Sequence, residues 1–419
     1  MNILLITPEY PPKHIGGGGI VYKTLAMELK SKGHKVSVFS GNCKNRGVAG
    51  EIELIYDNGV PVYFLPLLPA PKTKNFTAET YTLPTLRAFI FLIKELFQSD
   101  HDIIHLHGFC HPLIDIAALA CILKGKKYIV TCHGIPKTPE KGSFPLKILF
   151  KIYLLTIEKV LVKNATLATV VSRSLLNECR ERGLTNTRMM VIYNGPNPDL
   201  ERIIPISSEE IDERYSLKDK RVIFAVGRLT PVKGFQYLIE AMEIVSHTFP
   251  DVVAIIAGAG PYQATLKKLV YERGLSDRVK LVGKISEQEK AALYRRCDTI
   301  VFPSLQEPFG LVLLEAFVMH KPVIAFKSGS VTEIVDDKED GLLVPAGNTQ
   351  QLAKAITLVL LDKELRLKLT KNTYMKILAF TWRKIIEKYI EVYRETAHDL
   401  IKHSFDHLQW WDNALQEIE

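Results

Sequence analysis

The sequence lacks paired cysteines, long apolar runs and metal-ligand spacings. Its six cysteines are scattered with no Cys-x-x-Cys pair, a pattern typical of reduced thiols in a cytoplasmic protein. They are Cys43, Cys110, Cys121, Cys132, Cys179 and Cys297. No stretch of about 18 uncharged apolar residues occurs, so we expect no membrane-spanning helix. These absences argue against a disulfide scaffold and an integral membrane protein.

An export signal and a nucleic-acid-binding pattern are also missing. Residues 1–7 form a short apolar run that meets Glu9 with no basic region before it, so we interpret them as a first strand. The net charge of +8 is mild, and no Arg/Lys run is interleaved with aromatics, so no nucleic-acid partner is expected. Lysine clusters at 124–127 and 137–141 favour a phosphate-bearing ligand or an anionic membrane surface. We expect a cytoplasmic protein, with peripheral contact at the inner face of the membrane as a further hypothesis.

The sequence does contain two successive series of short apolar runs that alternate with longer periodic segments. This is the pattern of parallel sheets covered by helices, and 419 residues exceed what one core usually serves. In the first series the predicted strands are residues 3–7, 35–40, 103–107, 128–132 and 166–171, with helices at 20–31 and 174–182 among others. In the second series the predicted strands are residues 222–226, 252–257, 280–282, 299–302 and 323–325.

Between the two series, around residues 198–208, the pattern lapses into Pro, Asp and Ser, as expected of a hinge. We predict an α/β fold with two Rossmann-like doubly wound domains, residues 1–200 and 201–380. Ligands of such sheets lie at the carboxyl ends of strands, so the expected site is a cleft between the domains. Residues 381–419 are predicted to form a helical tail that packs back on the first domain.

The first candidate motif is the stretch Pro-Pro-Lys-His-Ile-Gly-Gly-Gly-Gly at residues 11–19, after the first strand and before the first helix. Glycines permit positive φ and let a backbone approach a phosphate or sugar near a helix N-terminus, where amides favour negative charge. Gly16 and Gly17 are therefore candidate ligand-binding residues. The spacing is not the dinucleotide Gly-x-Gly-x-x-Gly fingerprint, and a flexible turn without a ligand stays an open alternative.

A second motif, Gly-Arg-Leu-Thr-Pro-Val-Lys-Gly, follows the first strand of the second series at residues 227–234. Arg228 and Lys233 lie on one loop at a strand's carboxyl edge, where two cations can clamp a diphosphate. A departing nucleoside diphosphate gains negative charge as its bond to the sugar breaks, and fixed cations stabilise that transition state without a metal. Gly234 would let the next helix begin close to the ligand. The alternative is a solvated basic turn.

The sharpest motif is Glu-Pro-Phe-Gly-Leu-Val-Leu-Leu-Glu at residues 307–315, where a strand turns into a helix predicted to begin near Phe309. Free amides at that helix start would form an anion and hydroxyl site. They belong to Phe309, Gly310 and Leu311. Glu307 and Glu315 can reach different parts of one elongated ligand, and a carboxylate that accepts two adjacent hydroxyls suits a sugar ring or a ribose. The alternative makes Glu307 a helix-dipole partner and Glu315 part of a structural ion pair.

In this order along nearly the whole chain, the motifs resemble those of the GT-B retaining glycosyltransferases of family 4. The likeness extends to further segments. These are residues 105–107, 131–134, 171–174, 192–195, 257–261, 341–345 and 380–382. The resemblance implies the GT-B fold, which consists of two Rossmann-like domains.

The resemblance also implies a role for each matching residue. Arg228 and Lys233 correspond to the pair that holds the donor's phosphates. Glu307 corresponds to the residue that contacts the hydroxyls of the donor sugar, and Glu315 to the one that binds the nucleotide ribose. Gly17, beside Gly16, corresponds to the loop glycine that approaches the donor.

Histidines near the ends of two predicted strands need separate treatment. His133 corresponds in the family to the histidine that points at the reacting sugar, and without the resemblance it would be interpreted as a structural histidine. His105 and His107 alternate on a strand and therefore face the same side. Hydrogen bonding within the domain is the simpler interpretation for both, and no third ligand with metal spacing is visible.

The activity implied by the resemblance is the transfer of a hexosyl or related group from a nucleoside-diphosphate sugar to a saccharide, polysaccharide, glycolipid or small acceptor. Retention of anomeric configuration, front-face attack and no bound metal or cofactor are implied with it. Two other functions stay open. One is a GT-B nucleotide-sugar epimerase or hydrolase that needs no acceptor, and the other is a non-catalytic nucleotide-sugar-binding relative.

Two segments depart from the family pattern and two invite a membrane hypothesis. The usual Cys-Gly-x-Pro is Met-His-Lys-Pro at residues 319–322, and the usual Gly-Gly appears as Ser-Gly-Ser at residues 328–330.

Residues 147–163 carry lysines at helical spacing, and residues 86–97 mix Arg, Lys and aromatics. Either helix could lie on an anionic bilayer that presents a lipid-linked acceptor. A helix that is apolar around most of its circumference is more often simply buried.

Overall fold

The computed structural model describes residues 1–13, 16–42, 50–68, 83–108, 111–135 and 152–398. Contacts within the chain divide it into two compact units. Met1–Asn194 and the helix at Trp382–His398 form the first unit, and Gly195–Thr381 forms the second. Within the described residues, no helix combines the length and the apolar character needed to cross a bilayer.

The first unit is built on an eight-stranded sheet. Its strands are β1 (Asn2–Thr7), β2 (Lys35–Asn42), β3 (Glu53–Asp57), β4 (Val60–Pro66), β5 (Ile103–His107), β6 (Tyr128–Cys132), β7 (Leu167–Val170) and β8 (Met189–Val191). They are ordered β3-β4-β2-β1-β5-β6-β7-β8. The sheet is parallel except for β3, which pairs antiparallel with β4. The central strand β1 is buried along its apolar run, as a strand covered on both faces requires.

Helices cover both faces of this sheet. They are α1 (Gly17–Ser31), α2 (Leu86–Gln98), α3 (Pro112–Lys124), a π-helical turn (Leu154–Glu158), α4 (Lys159–Asn164) and α5 (Arg173–Glu181). Local capping fixes two of their starts, because the side chain of Thr85 accepts a hydrogen bond from Ala88 N and that of Ser172 accepts one from Leu175 N. The lysine-bearing segment 147–163 is described only from residue 152 onward.

The second unit contains a six-stranded, fully parallel sheet in the order β11-β10-β9-β12-β13-β14. The strands are β9 (Arg221–Val226), β10 (Val252–Ala257), β11 (Val279–Gly283), β12 (Thr299–Phe302), β13 (Val323–Lys327) and β14 (Gly341–Pro345). The helices are α6 (Ser208–Tyr215), α7 (Phe235–Thr248), α8 (Gln263–Glu272), α9 (Glu287–Arg296), α10 (Leu311–Val318), α11 (Val331–Ile334), α12 (Thr349–Leu361) and α13 (Lys363–Ile377). An apolar core between sheet and helices includes Ile223, Met242, Ile256 and Leu352.

The last described helix, α14 (Trp382–His398), belongs to the first unit. Trp382, Tyr389 and Tyr393 are all buried, which places the three aromatic rings on its packed face. The hydroxyl of Tyr393 lies 2.6 Å from Nδ1 of His105, the middle residue of β5. This helix therefore packs against the first sheet at β5.

In each sheet the chain adds strands first to one side of the opening strand and later to its other side. We call the position beside the opening strand, where the chain changes sides, the reversal point. In the first unit β2 lies on one side of β1 and β5 on the other, and in the second unit β10 and β12 flank β9 in the same way. The loops that leave the two strands on either side of this point lie at the carboxyl edge of the sheet, where ligands of such sheets bind. In the second unit these are the β9 loop (residues 227–234) and the β12 loop (residues 303–310).

All ten strands predicted from the sequence occur, and the described residues contain four further strands that were not predicted. The four are β3, β4, β8 and β14. The helix predicted to begin near Phe309 begins instead at Leu311, because Gly310 adopts a φ of +93°, which is incompatible with the helix.

Candidate functional site

The β9 and β12 loops are held together through their backbones. Leu305 N donates a 2.8 Å hydrogen bond to Val232 O. Gly234 has a φ of +68°, and a Cβ at this position would lie 1.9 Å from Pro303 O. Only glycine therefore allows the end of the β9 loop to approach the β12 strand end this closely.

This close approach brings Lys233 and Glu307 into direct contact. Nζ of Lys233 lies 2.5 Å from Oε2 of Glu307, and it also lies 5.7 Å from the centre of the Phe302 ring. Only 11% of the Glu307 side chain is exposed, so the ion pair is partly shielded from water. Two residues with separate predicted roles thus form one charge pair.

Arg228 occupies the other end of the β9 loop. Its neighbour Leu229 is pinned by two backbone hydrogen bonds, from Leu229 N to Ala259 O and from Tyr262 N to Leu229 O, each 3.0 Å long. Gly260 permits this packing, because a Cβ there would lie 2.2 Å from Leu229 O. Arg228 itself is exposed, and within the described part of the chain no carboxylate pairs with it. The backbone is fixed while the guanidinium remains available to an anion.

The start of α10 differs from the predicted amide site. Gly310 is the N-cap and Leu311 is the first helical residue. The carbonyl of Phe309 accepts a hydrogen bond from the side chain of Ser330, and the Phe309 ring is buried against Phe380. The helix therefore begins two residues later than predicted and the Phe309 side chain is part of the packing, while the proposed ligand contacts of the Phe309, Gly310 and Leu311 amides stay a prediction.

Glu315 is buried in a network between α9 and α10. Its Oε1 lies 3.1 Å from Nζ of Lys290, and its Oε2 accepts a 2.9 Å hydrogen bond from the hydroxyl of Tyr294. Burial acts to lower the pKa of Lys290, but the carboxylates of Glu315 and Glu287 outweigh it and raise that pKa to about 12. The structural ion pair is therefore formed, and each carboxylate oxygen retains a second lone pair for a ligand hydroxyl.

In the first unit, Gly16 and Gly17 form the start of α1. Gly16 is the N-cap with extended backbone, and Gly17 is the first helical residue. Oε1 of Glu9 accepts a 3.0 Å hydrogen bond from Gly19 N, so a carboxylate of the chain itself caps the N-terminus of this helix. A Cβ on Gly18 would lie 2.8 Å from that same oxygen. Residues 14 and 15 of the glycine motif lie outside the described residues.

Three histidines cluster at the carboxyl ends of β5 and β6. Nδ1 of His107 lies 3.1 Å from Nε2 of His133, and the ring of Tyr22 packs about equally close to both imidazoles, at 4.9 and 5.0 Å. The ring centres of His105 and His107 are 3.9 Å apart, as side chains on one face of a strand should be. Nε2 of His105 lies 2.6 Å from Oγ1 of Thr131.

The histidine cluster is uncharged at neutral pH. Burial lowers the pKa of His133 to about 3, against an opposing effect of the Glu9 carboxylate. Burial, assisted by His133, lowers the pKa of His105 to about 3, and the pKa of His107 is also far below its ordinary value. Neutral imidazoles donate and accept hydrogen bonds but do not attract phosphate. Among the described residues no group of three or more His, Cys, Asp or Glu side chains is arranged to hold a metal ion.

Comparisons with known proteins identify the family of the chain. Residues 15–200 match the profile described as Glycosyltransferase Family 4, and residues 207–376 match that described as Glycosyl transferases group 1. The chain is 30% identical over 414 residues to an uncharacterized glycosyltransferase of Methanocaldococcus jannaschii, covering 94% of this chain and 98% of the relative. The chain belongs to this glycosyltransferase family.

Solved structures support the same assignment at the level of the fold. Sucrose-phosphate synthase from Thermosynechococcus elongatus is similar with a TM-score of 0.74 and 23% identity, covering 94% of this chain and 99% of that one. The HepE protein of Anabaena in complex with UDP-glucose has a TM-score of 0.70 and 20% identity, covering 93% and 98%. The glycosyltransferase therefore has the GT-B fold.

Several residues of the glycosyltransferase that contact the predicted positions were not recognised from the sequence. They are Glu9, Tyr22, Lys290, Tyr294 and Ser330. For Glu9 a signal existed, since a charged residue directly after a buried first strand lies at the carboxyl edge. For Ser330 the signal was its place in the segment 328–330, which departs from the family pattern. For the other three no local pattern exists, because each meets its partner across a different loop or helix.

Proposed function

We propose that this glycosyltransferase moves a sugar from a nucleoside-diphosphate donor to a hydroxyl of a saccharide, glycolipid or small acceptor, with retention of anomeric configuration. The observation that carries the proposal is the convergence of the β9 and β12 loops beside the reversal point of the second sheet, which pairs Lys233 with Glu307 on loops of which one also carries the exposed Arg228. Two cations and one carboxylate on adjoining loops match a ligand that joins a diphosphate to a polyol.

In this proposal Arg228 and Lys233 bind the diphosphate. The bond between the anomeric carbon and the phosphate oxygen breaks, and charge develops on the leaving diphosphate. The acceptor oxygen bonds to the same face of that carbon, and its proton passes to the leaving phosphate oxygen. Fixed cations stabilise this charge most strongly in the transition state. No bound metal is required for that step, because the two side chains supply the positive charge.

Glu307 has a second role in the proposal. Because Lys233 is paired with Glu307, a diphosphate that takes over the lysine frees carboxylate lone pairs for sugar hydroxyls. A sugar without the diphosphate would meet a carboxylate that is already paired. The site would therefore recognise the two parts of the donor together, and free sugar would bind weakly.

His133 has a different part in this proposal. Nε2 of His133 contacts His107, so Nδ1 is the ring nitrogen that remains for a ligand. As a neutral imidazole it would hydrogen-bond to a hydroxyl of the reacting sugar and would not pair with a phosphate. Gly16 and Gly17 would let the donor approach the backbone at the start of α1.

The proposed reaction can be tested in two steps. Thermal-shift screening of UDP, GDP and ADP sugars identifies the donor, because a ligand that binds only the folded state raises its apparent stability. UDP-glucose is the first to try, as the donor named in the HepE complex. Proton NMR with donor and acceptor should then show a product with the donor's anomeric configuration. An inverted product would refute the retaining mechanism. A new epimer or free sugar from donor alone would instead support the epimerase or hydrolase.

We also propose that the first unit contacts an anionic bilayer through α2. The buried face of this helix consists of Ala88, Leu92 and Leu96, yet Leu86 and Ile90 on the opposite face are 74% and 56% exposed. Exposed Arg and Lys side chains on the same helix supply positive charge. Flotation with vesicles of phosphatidylglycerol should recover the wild-type protein, and a variant carrying both Leu86→Ser and Ile90→Ser should lose this binding. Equal recovery of both proteins would contradict the proposal.

A reducing compartment such as the cytoplasm suits the enzyme. Cys121, Cys132, Cys179 and Cys297 are buried and are not joined in disulfides among the described residues, and burial raises the pKa of Cys121 and of Cys297 to about 12. Buried thiols with a raised pKa are chemically unreactive, and their role is to pack in the core. Nucleotide sugars would be the partners of the enzyme there.

A further inference from the structure

The loop after β13, residues 328–330, packs against the β12 loop that carries Glu307. Ser330 is fully buried, and its hydroxyl lies 3.0 Å from Glu307 O and 2.8 Å from Phe309 O. Ser330 N donates a further 3.2 Å hydrogen bond to Glu307 O. One residue therefore holds the carbonyls on both sides of the turn that leads from Glu307 into α10.

Two neighbours of Ser330 strengthen this contact. Gly329 has a φ of +53°, and a Cβ there would lie 2.5 Å from Glu307 O, so the close approach requires glycine. The buried hydroxyl of Ser328 donates a 2.6 Å hydrogen bond to Ser304 O in the β12 loop. Ser328 therefore bonds to the β12 loop at Ser304, and Ser330 contacts it at Glu307 and Phe309.

We propose that Ser330 is a positioning residue that fixes the Glu307 carboxylate for the donor sugar. This inference rests on the proposed function, because it gives Glu307 the sugar contact. Carboxylate placement depends on the Glu307 backbone, and the hydroxyl of Ser330 is the side-chain group that holds it. A glycine at position 330 would keep the hydrogen bond from its backbone amide to Glu307 O, but it would lack both contacts of the hydroxyl.

The first test uses Ser330→Ala with Thr332→Ala as a matched control. Thr332 is two residues further along the chain, in the short helix α11, but it is exposed and its hydroxyl lies 3.4 Å from Gly329 O. Ser330→Ala should lower kcat with the donor about tenfold, because small misplacements of a binding group are costly. The Kd of the nucleoside diphosphate product, which has no sugar for Glu307 to hold, should stay within about twofold. Thr332→Ala should leave both unchanged.

A double-mutant cycle separates positioning from general stability. In a Glu307→Ala background the Ser330→Ala change should have no further effect on kcat, since the carboxylate it positions is gone. Equal losses in the two backgrounds would overturn the inference and indicate a purely structural serine. So would a Ser330→Ala enzyme with wild-type kcat.

Hydrogen exchange followed by mass spectrometry tests the same contact without any turnover. The peptide covering residues 303–311 should exchange faster in Ser330→Ala than in wild type or Thr332→Ala, because the backbone contacts are loosened. Unchanged exchange would overturn the positioning role. If wild-type protein transferred no sugar from any donor, the proposed function would fail, while this exchange result would still decide whether Ser330 holds the turn.

Discussion

The reversal points of the two sheets have the same topology but opposite chemistry. In the first unit the strand ends carry neutral, buried imidazoles, and the N-terminus of α1 is capped by the carboxylate of Glu9. In the second unit they carry Arg228 and the Lys233–Glu307 ion pair. The first edge offers hydrogen bonds and no positive charge from its histidines, whereas the second carries two cations, which we propose bind a diphosphate. The fold provides the location, and the loop residues decide which ligand chemistry each location can serve.

Loss of a buried carboxylate in the second unit should have the largest effect. Glu315→Ala leaves the buried Lys290 with the more exposed Glu287 alone and removes the acceptor of the Tyr294 hydroxyl, and breaking such a buried pair costs up to about 3–5 kcal/mol of unfolding free energy. Glu287→Ala removes the more exposed partner of the same lysine and should cost no more than about 1 kcal/mol. Urea denaturation measures both. Similar losses in the two variants would show that Glu315 is not the essential partner of Lys290.

Removing the cation of the ion pair should affect catalysis and spare the fold. Lys233→Ala should lower kcat/KM about 10²- to 10³-fold, since it removes a group aimed at developing charge. Steady-state kinetics should show this loss, while the Tm should fall less than in Glu315→Ala, because Lys233 is more exposed than Lys290. The control is Lys267→Ala, on the exposed face of α8. If the two lysine variants behaved alike, Lys233 would have no special role.

The close approach of the two loops can be tested through Gly234. Gly234→Ala combines a positive φ with a Cβ that would meet Pro303 O, and should cost about 1–3 kcal/mol together with much of the activity. Gly274→Ala is the matched control, because it has a similar φ of +64° and no atom within 4 Å of the added Cβ. Thermal unfolding should show the larger loss for Gly234→Ala. An equal loss would mean that only the backbone angle matters.

The smallest expected effect concerns the neutral edge. The folded pKa of His105 is about 3 and its unfolded value is about 6.5, so the unfolded chain binds more protons between these values. Stability should therefore be complete above about pH 6.5 and decrease as the pH falls toward 3. His105→Gln should weaken this dependence when Tm is measured between pH 7.5 and 5. A slope as steep as that of wild type would exclude His105 as a cause.

Much of the fold was predictable because it depends on local patterns. Buried parallel strands are recognised in a sequence as apolar runs, and this holds for β1, β9 and β10. The hairpin of β3 and β4 was missed although Asn58 and Gly59 form its turn, with φ of 48° and 75°. That dipeptide is a strong hairpin signal, but the flanking strands are short and lie at the sheet edge.

The candidate site was predictable as a set of residues but not as a set of contacts. The order of strands in the sheet decides which loops adjoin, so no spacing in the sequence indicates that Lys233 pairs with Glu307. The same reason hides the contact of Ser330 with the Glu307 carbonyl. The sequence indicated only that Glu315 could form a structural ion pair. It did not identify Lys290 as the partner, because Lys290 lies on another helix.

The most direct test of the account is a calorimetric titration of UDP, GDP and ADP into the enzyme and into an Arg228→Ala, Lys233→Ala double variant. At least one of the three nucleotides should bind the wild-type enzyme. The Kd of that nucleotide should rise by more than tenfold in the double variant, because its diphosphate loses both cations. Equal affinity in the two proteins, or no affinity of the wild-type enzyme for any of the three, would contradict the claim that the β9 loop binds a diphosphate.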